Sequence, residues 1–289
     1  MFVLGGPRDG GDPCDDGGGS WEFLGPVRGM PAGQWAIDGT VFELNDTLYF
    51  AYSGWPIPGS GSGGGGGNGN VGYPDLMQEL YITRLEDPIT VANTIAEEVN
   101  GSASPSSPPR LPAVISRPER DWEFTMGLHG RHGINEGPQF LRSPSTHNNN
   151  GNDKEEEDGG GWAGLVYSCG GSWTSEYKMA TLRYVGGDPL RADAWRKAAE
   201  PLIAAREPMG PWGPGHGSFV HFTSSGSGSG HQGGDGAEGE SGTLAIFHAT
   251  DLPTDGWADR RARVQRVSFS ADGPFSKCPC SACYVDEIN

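Results

Sequence analysis

The sequence feature that most constrains the fold is a unit of three short strands that occurs three times along the chain. The first strand of each unit presents one polar side chain beside glycine or proline, at residues 35–42, 134–141 and 213–220. An aromatic-rich strand follows it, at residues 47–53, 163–168 and 243–248. A third strand completes each unit, at residues 79–83, 177–182 and 262–267. Runs of β-branched and aromatic residues bounded by Gly, Pro, Asn and Asp predict strands, so the chain is a β repeat.

Low-complexity segments interrupt these units without dividing the chain into domains. They are rich in Gly, Ser, Asn, Glu or Pro and lie at residues 58–72, 100–112, 147–161 and 224–242. Such insertions cost little, because loop-closure entropy grows slowly with length. The best helical candidate, residues 192–205, is broken by Pro201 and fits a turn and a short strand better. With an outer fourth strand such as residues 194–202, the units predict an all-β fold of the β-propeller type.

The composition excludes two classes of partner. The chain has 289 residues, enough for one large β domain, and a formal net charge of −17. Nucleic acid and anionic membranes both attract cationic surfaces, so we expect neither as a partner. The absence of a run of about 18 apolar residues predicts no membrane span. We expect a monomer that binds a neutral ligand.

Cysteine usage and the two chain ends set the expected boundaries. Residues 1–20 are a Gly/Asp-rich lead-in, residues 21–275 the propeller domain, and residues 276–289 a tail with Cys278, Cys280 and Cys283. An odd count of five cysteines does not predict a disulfide scaffold. The tail cluster lacks the fourth ligand of a structural zinc site, so we favour a disordered tail over a metal site. Residues 1–6 lack the basic region and apolar stretch of a secretion signal.

One polar group of each unit is a candidate for chemistry. The first strand of a propeller blade lines the central axis, so Asp38, Glu136 and His216 are predicted to converge at one end of it. Two carboxylates that face one cleft suit glycoside hydrolysis, in which one protonates the leaving oxygen and the other activates water. Each residue alone also fits a structural role: a turn cap for Asp38, a solvated strand end for Glu136, a packed core histidine for His216. Matched placement in three successive units favours a shared site.

Aromatic side chains near these positions favour a sugar ligand, because flat aromatic faces bind the apolar faces of sugar rings. The candidates lie near a motif or a strand end: Trp35, Trp55, Trp173 and Trp212. Blade packing explains each of them separately at least as well. Trp195 and Trp257 are interpreted as structural. Arg263 and Gln265 on the last strand could hydrogen-bond sugar hydroxyls or hold a carboxylate ionised.

Short motifs occur in a fixed order over about residues 21–275. They are residues 35–42, Tyr52-Ser53-Gly54-Trp55, Ile115-Ser116-Arg117-Pro118, Trp122-Glu123, Asn135-Glu136-Gly137-Pro138-Gln139, Tyr167-Ser168, Ser172-Trp173 with Tyr177, Gly213-Pro214-Gly215-His216 with Ser218-Phe219, His248-Ala249, and Ala262-Arg263-Val264-Gln265 with Ala271-Asp272-Gly273. In this combination the sequence resembles glycoside hydrolase family 43, the five-bladed propellers that include arabinofuranosidases, arabinanases and xylosidases. The resemblance is closest to fungal or bacterial arabinofuranosidase-type members.

This resemblance implies an inverting hydrolase that acts on arabinose- or xylose-containing oligo- or polysaccharide outside the cell. Glu136 matches the general acid of the family, and Asp38 matches the aspartate that tunes and orients that acid. His216 matches an axial histidine that in many members lies beside a calcium or other ion. A single calcium ion near the axis, beside His216, is therefore the one candidate metal, and no cofactor is required. The expected substrate-binding residues are Trp35, Trp55, Trp173, His216 and Arg263.

The chain departs from the family pattern at its start. The family's general base is an aspartate at the beginning of the first blade, and no such residue is found. Residues 1–4 match a strand near the end of the second blade, and three complete units are visible where five are needed. The acidic residues of the lead-in lie in an unpatterned stretch and are not nominated as the base: Asp9, Asp12, Asp15 and Asp16. We interpret the chain as a truncated piece of a secreted enzyme, inactive as it stands if the base is missing.

Two other functions remain open at this stage. A non-catalytic sugar-binding propeller would keep the aromatic residues without the base. An unrelated propeller that serves as an interaction scaffold has no reason to place Asp, Glu and His at matched strand starts. The sequence does not decide between an arabinofuranosidase, a xylosidase and an endo-arabinanase, because loop shape decides whether a cleft accepts chain ends or interiors.

Overall fold

Antiparallel strands make up nearly all regular structure of the part of the chain that is described. A computed structural model describes residues 1–6, 21–57, 77–92, 111–144, 161–223, 241–270 and 272–276. The predicted low-complexity loops, most of the lead-in and the cysteine-containing tail lie outside these ranges. No helix within them is long and apolar enough to cross a membrane.

The described strands form three blade-like units and one preceding pair. The pair is β1 (Phe2–Gly5) with β2 (Glu22–Pro26). The first blade contains β3 (Ala36–Leu44), β4 (Thr47–Gly54) and β5 (Met77–Asp87), with β6 (Thr90–Val91) and β7 (Ala113–Ser116) along β5. The second contains β8 (Phe124–Gly127), β9 (Gly130–Arg142), β10 (Ala163–Cys169), β11 (Lys178–Tyr184) and β12 (Trp195–Lys197). The third contains β13 (Trp212–Thr223), β14 (Ser241–Thr250), β15 (Arg261–Ser270) and β16 (Gly273–Phe275).

This architecture confirms the strand repeat predicted from the sequence. Every strand of the three predicted units is present, and β12 supplies the outer strand expected within residues 194–202. Residues 192–205, the best helical candidate in the sequence, contain only one short 3-10 turn, Ala192–Ala194, before β12. A second such turn, Asp121–Glu123, precedes β8. Residues 1–4 also lie largely in a strand, as expected.

The innermost strands of the blades lie side by side. The first residues of β5 pair in parallel with β9, at Met77 with Gly133 and Gln78 with Ile134, and so join the first two blades into one sheet. Strand β9 also lies against both β3 and β13. The three first strands therefore surround a common axis, as in a propeller.

Apolar side chains fill the interfaces between blades. One cluster joins the first and second blades and includes Leu80, Leu165 and Leu182. Across the same interface Phe42 and Phe140 stack with ring centroids 4.4 Å apart, a geometry that adds about 0.5–1.5 kcal/mol to simple burial. A second cluster joins the second and third blades and includes Met179 and Phe247. Each blade therefore depends on its neighbour for its core.

A buried ion pair lies at the first of these interfaces. Glu123 is fully buried, and Lys197 Nζ lies 2.8 Å from its Oε1. Oε1 also accepts hydrogen bonds from Asn135 Nδ2 at 2.7 Å and the Tyr167 hydroxyl at 2.9 Å. Oε2 accepts the backbone N–H groups of residues 119 and 120, each at 2.8 Å. A buried charge needs this degree of pairing to be tolerated.

Replacing Lys197 with Met should therefore destabilise the fold strongly, because Glu123 stays buried without its cation. We expect a loss of about 3–5 kcal/mol in the free energy of unfolding, measured by urea titration. The control is Arg191→Ala, which breaks the exposed pair with Asp193 and should change stability little. Equal losses in the two variants would contradict the role assigned to the Glu123–Lys197 pair.

Candidate active site

A β-bulge in each innermost strand places the predicted polar groups. The pairing register shifts between Ile37 and Thr40 in β3, and between Gly215 and Ser218 in β13. In β9 the shift falls opposite Val166 and Ser168 of β10. A bulge leaves one residue out of the ladder and redirects the neighbouring side chains. All three innermost strands are thus distorted at the same level of the axis.

The bulges correct the sequence-based equivalence by one residue. The left-handed position is held by Asp38 (φ 57°) in β3, Gly137 (φ 57°) in β9 and His216 (φ 50°) in β13. Gly137, and not Glu136, is therefore the counterpart of Asp38 and His216. Glu136 lies one residue earlier, so its side chain enters the blade interface and is only 9% exposed. The His216 side chain is 46% exposed.

Glu136 is a buried carboxyl group that accepts one hydrogen bond from the described residues. The Tyr177 hydroxyl donates a hydrogen bond to Glu136 Oε1 at 2.5 Å. Burial raises the pKa of Glu136, the Tyr177 hydrogen bond opposes that shift, and the negative charge of Asp38 adds to it. His216 and Arg260 oppose the shift more weakly. The net effect favours a protonated carboxyl compared with a glutamate in water.

Asp38 lies directly beside this carboxyl group. Its Oδ2 accepts the Gly137 N–H at 3.2 Å, and its Oδ1 lies 3.8 Å from His216 Nε2. Burial raises the pKa of Asp38, while His216 and the Gly137 hydrogen bond oppose that shift. Asp38 therefore contacts the backbone next to Glu136, and its negative charge favours the protonated form of Glu136. The structure brings Asp38, Glu136 and His216 together, as the sequence analysis expected.

Two further groups approach this cluster that sequence reasoning did not select. Arg260, in the loop between β14 and β15, acts electrostatically on both Glu136 and His248. The His248 ring stacks on Tyr177 with centroids 5.7 Å apart. Burial, with the charges of Arg260 and His216, lowers the pKa of His248 to about 4. The predicted strand order could have indicated Arg260, because the β14–β15 loop must lie at the same end of the blade as the start of β13.

Arg263, predicted to bind substrate, has a different environment. It lies in β15 opposite Phe247 and forms an ion pair with Asp251. Its side chain is only 10% exposed, and no described contact joins it to Glu136 or Asp38. Arg260, in the preceding loop, donates from Nη2 to the Ser172 carbonyl at 2.6 Å and acts electrostatically on Glu136. The cationic group near the acid is thus Arg260.

Three of the four predicted tryptophans lie in two aromatic groups at the same end of the blades, and Trp212 lies at the start of β13. Trp35 and Trp55 stack with centroids 4.8 Å apart and lie where β3 begins and β4 ends. Trp173, in the β10–β11 loop, meets His132 and Trp257 edge to face, at 5.5 and 6.4 Å. Trp257 is 66% exposed, but its Nε1 donates to Ser172 Oγ at 3.1 Å and its ring packs on Trp173, so its interpretation as structural stays a prediction. Trp195 is 6% exposed and donates to the Pro189 carbonyl, which confirms its structural role.

The expected axial calcium ion finds few ligands among the described residues. Among the described residues, no group of three or more His, Cys, Asp or Glu side chains could hold a metal ion. Asp38 and His216 supply one carboxylate and one imidazole, whereas calcium takes six to eight oxygen ligands. The residues present do not fit a calcium cage, and we assign no step to a metal.

Replacing Gly137 with Ala should disturb both the backbone and His216. The residue has φ 57°, and a Cβ atom there would lie 3.3 Å from His216 Nδ1. We expect a loss of about 1–3 kcal/mol in unfolding free energy, measured by thermal and urea unfolding. The control is Gly33→Ala, which has φ 77° but open space around its Cβ position. Equal losses in the two variants would contradict the contact with His216.

Comparison with known proteins places this geometry in a recognisable fold. No protein-family model matches the chain. It is 24% identical over 261 residues to an extracellular exo-α-(1→5)-L-arabinofuranosidase from Streptomyces avermitilis, covering 88% of this chain and 40% of that protein. It superposes on an α-L-arabinofuranosidase structure from Lactobacillus brevis with a TM-score of 0.57 and 22% identity, covering 90% of this chain and 61% of that one.

A second structural neighbour carries the family name. A thermostable family-43 glycoside hydrolase superposes with a TM-score of 0.53 and 19% identity, covering 90% of this chain and 62% of that one. These similarities establish the fold of family-43 propellers and confirm the predicted fold class. The chain spans two fifths of the curated relative and about three fifths of the two solved structures.

Proposed function

We propose that the chain carries the acid side of a family-43 glycosidase site, with Glu136 as general acid and Asp38 as the residue that orients and tunes it. The observation that carries this proposal is the pair of unequal carboxyl groups. Burial and the neighbouring charge of Asp38 raise the pKa of Glu136. Two neighbouring carboxyl groups in different surroundings are the pattern of acid-assisted glycoside cleavage.

In this mechanism, Glu136 donates its proton to the glycosidic oxygen as the bond to the anomeric carbon breaks. Asp38 favours the protonated form of Glu136 by its charge, and its bond to the Gly137 N–H fixes the backbone beside the acid. Inversion requires a second carboxylate that activates water on the opposite face of the sugar. The sequence analysis found no residue for this task, and the acidic residues of the lead-in lie outside the described ranges.

The substrate we propose is an arabinofuranosyl or xylosyl unit of a plant polysaccharide. The names of the similar proteins support this class, with α-L-arabinofuranosidase as the specific activity. The stacked pair of Trp35 and Trp55 offers a flat apolar face for a sugar ring. A neutral sugar also suits a chain with a net charge of −17. Similarity to an extracellular arabinofuranosidase favours an extracellular location.

A non-catalytic carbohydrate-binding propeller is the second candidate. The observation that favours it is the combination of aromatic faces and an acid with no base identified. Such a protein would bind arabino-oligosaccharide and release no product.

Replacing Glu136 with Gln should affect two substrates unequally. The sugar oxygen of an α-1,5-linked arabino-oligosaccharide is a poor leaving group and needs the acid, so we expect a loss of about a hundredfold or more in kcat/KM. The p-nitrophenyl α-L-arabinofuranoside needs little protonation on leaving and should lose much less. Glu43→Gln, on the exposed side of β3, should leave both rates unchanged.

Three results would separate the candidates. Equal losses on the two substrates, or none, would contradict Glu136 as the acid. A folded chain that binds the oligosaccharide by calorimetry without releasing product would support the binding function. A matching p-nitrophenyl β-D-xyloside assay distinguishes a xylosidase.

The pH dependence of kcat/KM on the oligosaccharide should reveal the role of Asp38. Activity of a general acid falls as pH rises through its pKa, and the charge of Asp38 raises the pKa of Glu136. Asp38→Asn removes that charge, so the alkaline limb of the profile should move to lower pH. Asp272→Asn, at an exposed position, should leave the limb in place. A shift to higher pH in Asp38→Asn would contradict the proposal.

A further inference from the structure

A chain of hydrogen bonds leads from the third blade to the Glu136 carboxyl group. It begins at the backbone N–H of His216, which donates to Ser168 Oγ at 2.7 Å. The Ser168 hydroxyl in turn hydrogen-bonds the Tyr177 hydroxyl. The Tyr177 hydroxyl donates to Glu136 Oε1 at 2.5 Å. All the donors therefore point in one direction, from β13 towards Glu136.

The members of this chain are held by the packing of the second blade against the third. Ser168 and Tyr177 are fully buried, and Ser168 pairs directly with Glu136 in the ladder between β10 and β9. One face of the Tyr177 ring stacks on His248 at an interplanar angle of 12°. Another part of the ring occupies the space beside Gly215, where a Cβ atom would lie 2.0 Å from Tyr177 Cε1. The Tyr177 hydroxyl thus has little freedom to leave Glu136.

The loop before β11 is fastened to the third blade as well. The Gly213 N–H donates to the Ser175 carbonyl at 2.9 Å. A Cβ atom at Gly213 would lie 2.8 Å from the Thr174 carbonyl oxygen. The start of β13 therefore sets the position of the segment that carries Tyr177.

Charged groups from several elements surround this series of hydrogen bonds. Glu136 is faced by Asp38 from β3, by His216 from β13 and by Arg260 from the β14–β15 loop. Tyr177 is faced by Glu136 and Asp38, and its ring packs on His248. Burial and the nearby Glu136 carboxylate hold the pKa of Tyr177 well above its usual range. Tyr177 therefore keeps its proton and remains a donor to Glu136.

We propose that Tyr177 and Ser168 are positioning residues for the acid: they hold Glu136 Oε1 in one orientation through hydrogen bonds that begin at the backbone of the third blade. The inference rests on the proposed function only in treating Glu136 as the acid. A carboxylate that loses its one close donor in a buried site either turns away or takes up a proton. The two residues thereby couple the geometry of the acid to the docking of the neighbouring blade.

The test is a direct titration of the Glu136 carboxyl carbon by ¹³C NMR, with Glu136→Gln used to assign the resonance. Tyr177→Phe should move the pKa of Glu136 upward, because the lost hydrogen bond stabilised the carboxylate. Ser168→Ala should produce a smaller upward shift, since it weakens the Tyr177 donor without removing it. The control is Tyr52→Phe, a buried tyrosine that donates to Gln34 in the first blade, which should give no shift.

The titration tests the inference even if the protein has no hydrolytic activity. An unchanged or lowered pKa of Glu136 in folded Tyr177→Phe would overturn it. If Tyr177→Phe does not fold, Ser168→Ala carries the same decision. In an active protein, Tyr177→Phe should also move the alkaline limb of kcat/KM to higher pH and reduce kcat more than it changes KM. Hydrolysis unaffected by Glu136→Gln would sink the proposed function, and the titration would still judge the hydrogen-bonded chain.

Discussion

The bulge in each innermost strand is the constraint on which the candidate site depends. In a regular strand, alternate side chains point to opposite faces of the sheet. Neighbouring residues at one level of the axis would then point towards different blades. Each bulge inserts one left-handed residue there and lets neighbouring positions reach the axis. Asp38 and His216 occupy that position with φ values of 57° and 50°. A non-glycine residue in this region stores backbone strain, and the strain lies where the chemistry is proposed.

Strand β9 lies between two polar networks that differ in how many hydrogen-bond donors the carboxylate of each one has. Asn135 faces the first blade and joins the Glu123–Lys197 pair, where every carboxylate oxygen has several donors. Glu136, the next residue, faces the third blade and accepts one hydrogen bond from the described residues, that of the Tyr177 hydroxyl. A carboxylate with full compensation serves the fold. A carboxylate with partial compensation in the same low-dielectric interior is easier to protonate, which suits an acid.

The sequence was sufficient for the strands and for the group of polar residues, because both leave local patterns. Alternating aromatic and β-branched runs predicted the three units, and polar residues at matched strand starts predicted that Asp38, Glu136 and His216 meet. The one-residue offset of Glu136 was not predictable, since a bulge depends on φ values that the pattern does not carry. Arg260 was missed in favour of Arg263 because loop residues reach a site through three-dimensional proximity alone. Tyr177 belonged to a predicted strand and to a family motif, but its contact with Glu136 depends on the three-dimensional arrangement.

The arrangement of the three blades also restricts where a general base could come from. An inverting site needs its two carboxyl groups about 6.5–9.5 Å apart, with water between the base and the sugar. Asp38 touches the backbone beside Glu136, so it lies on the acid's side and is poorly placed to activate water on the opposite face. His216 and Arg260 extend that same arc of the axis. Under the proposed inverting mechanism, the described residues around Glu136 therefore form the acid's side of the cleft, and the base is a carboxylate other than Asp38.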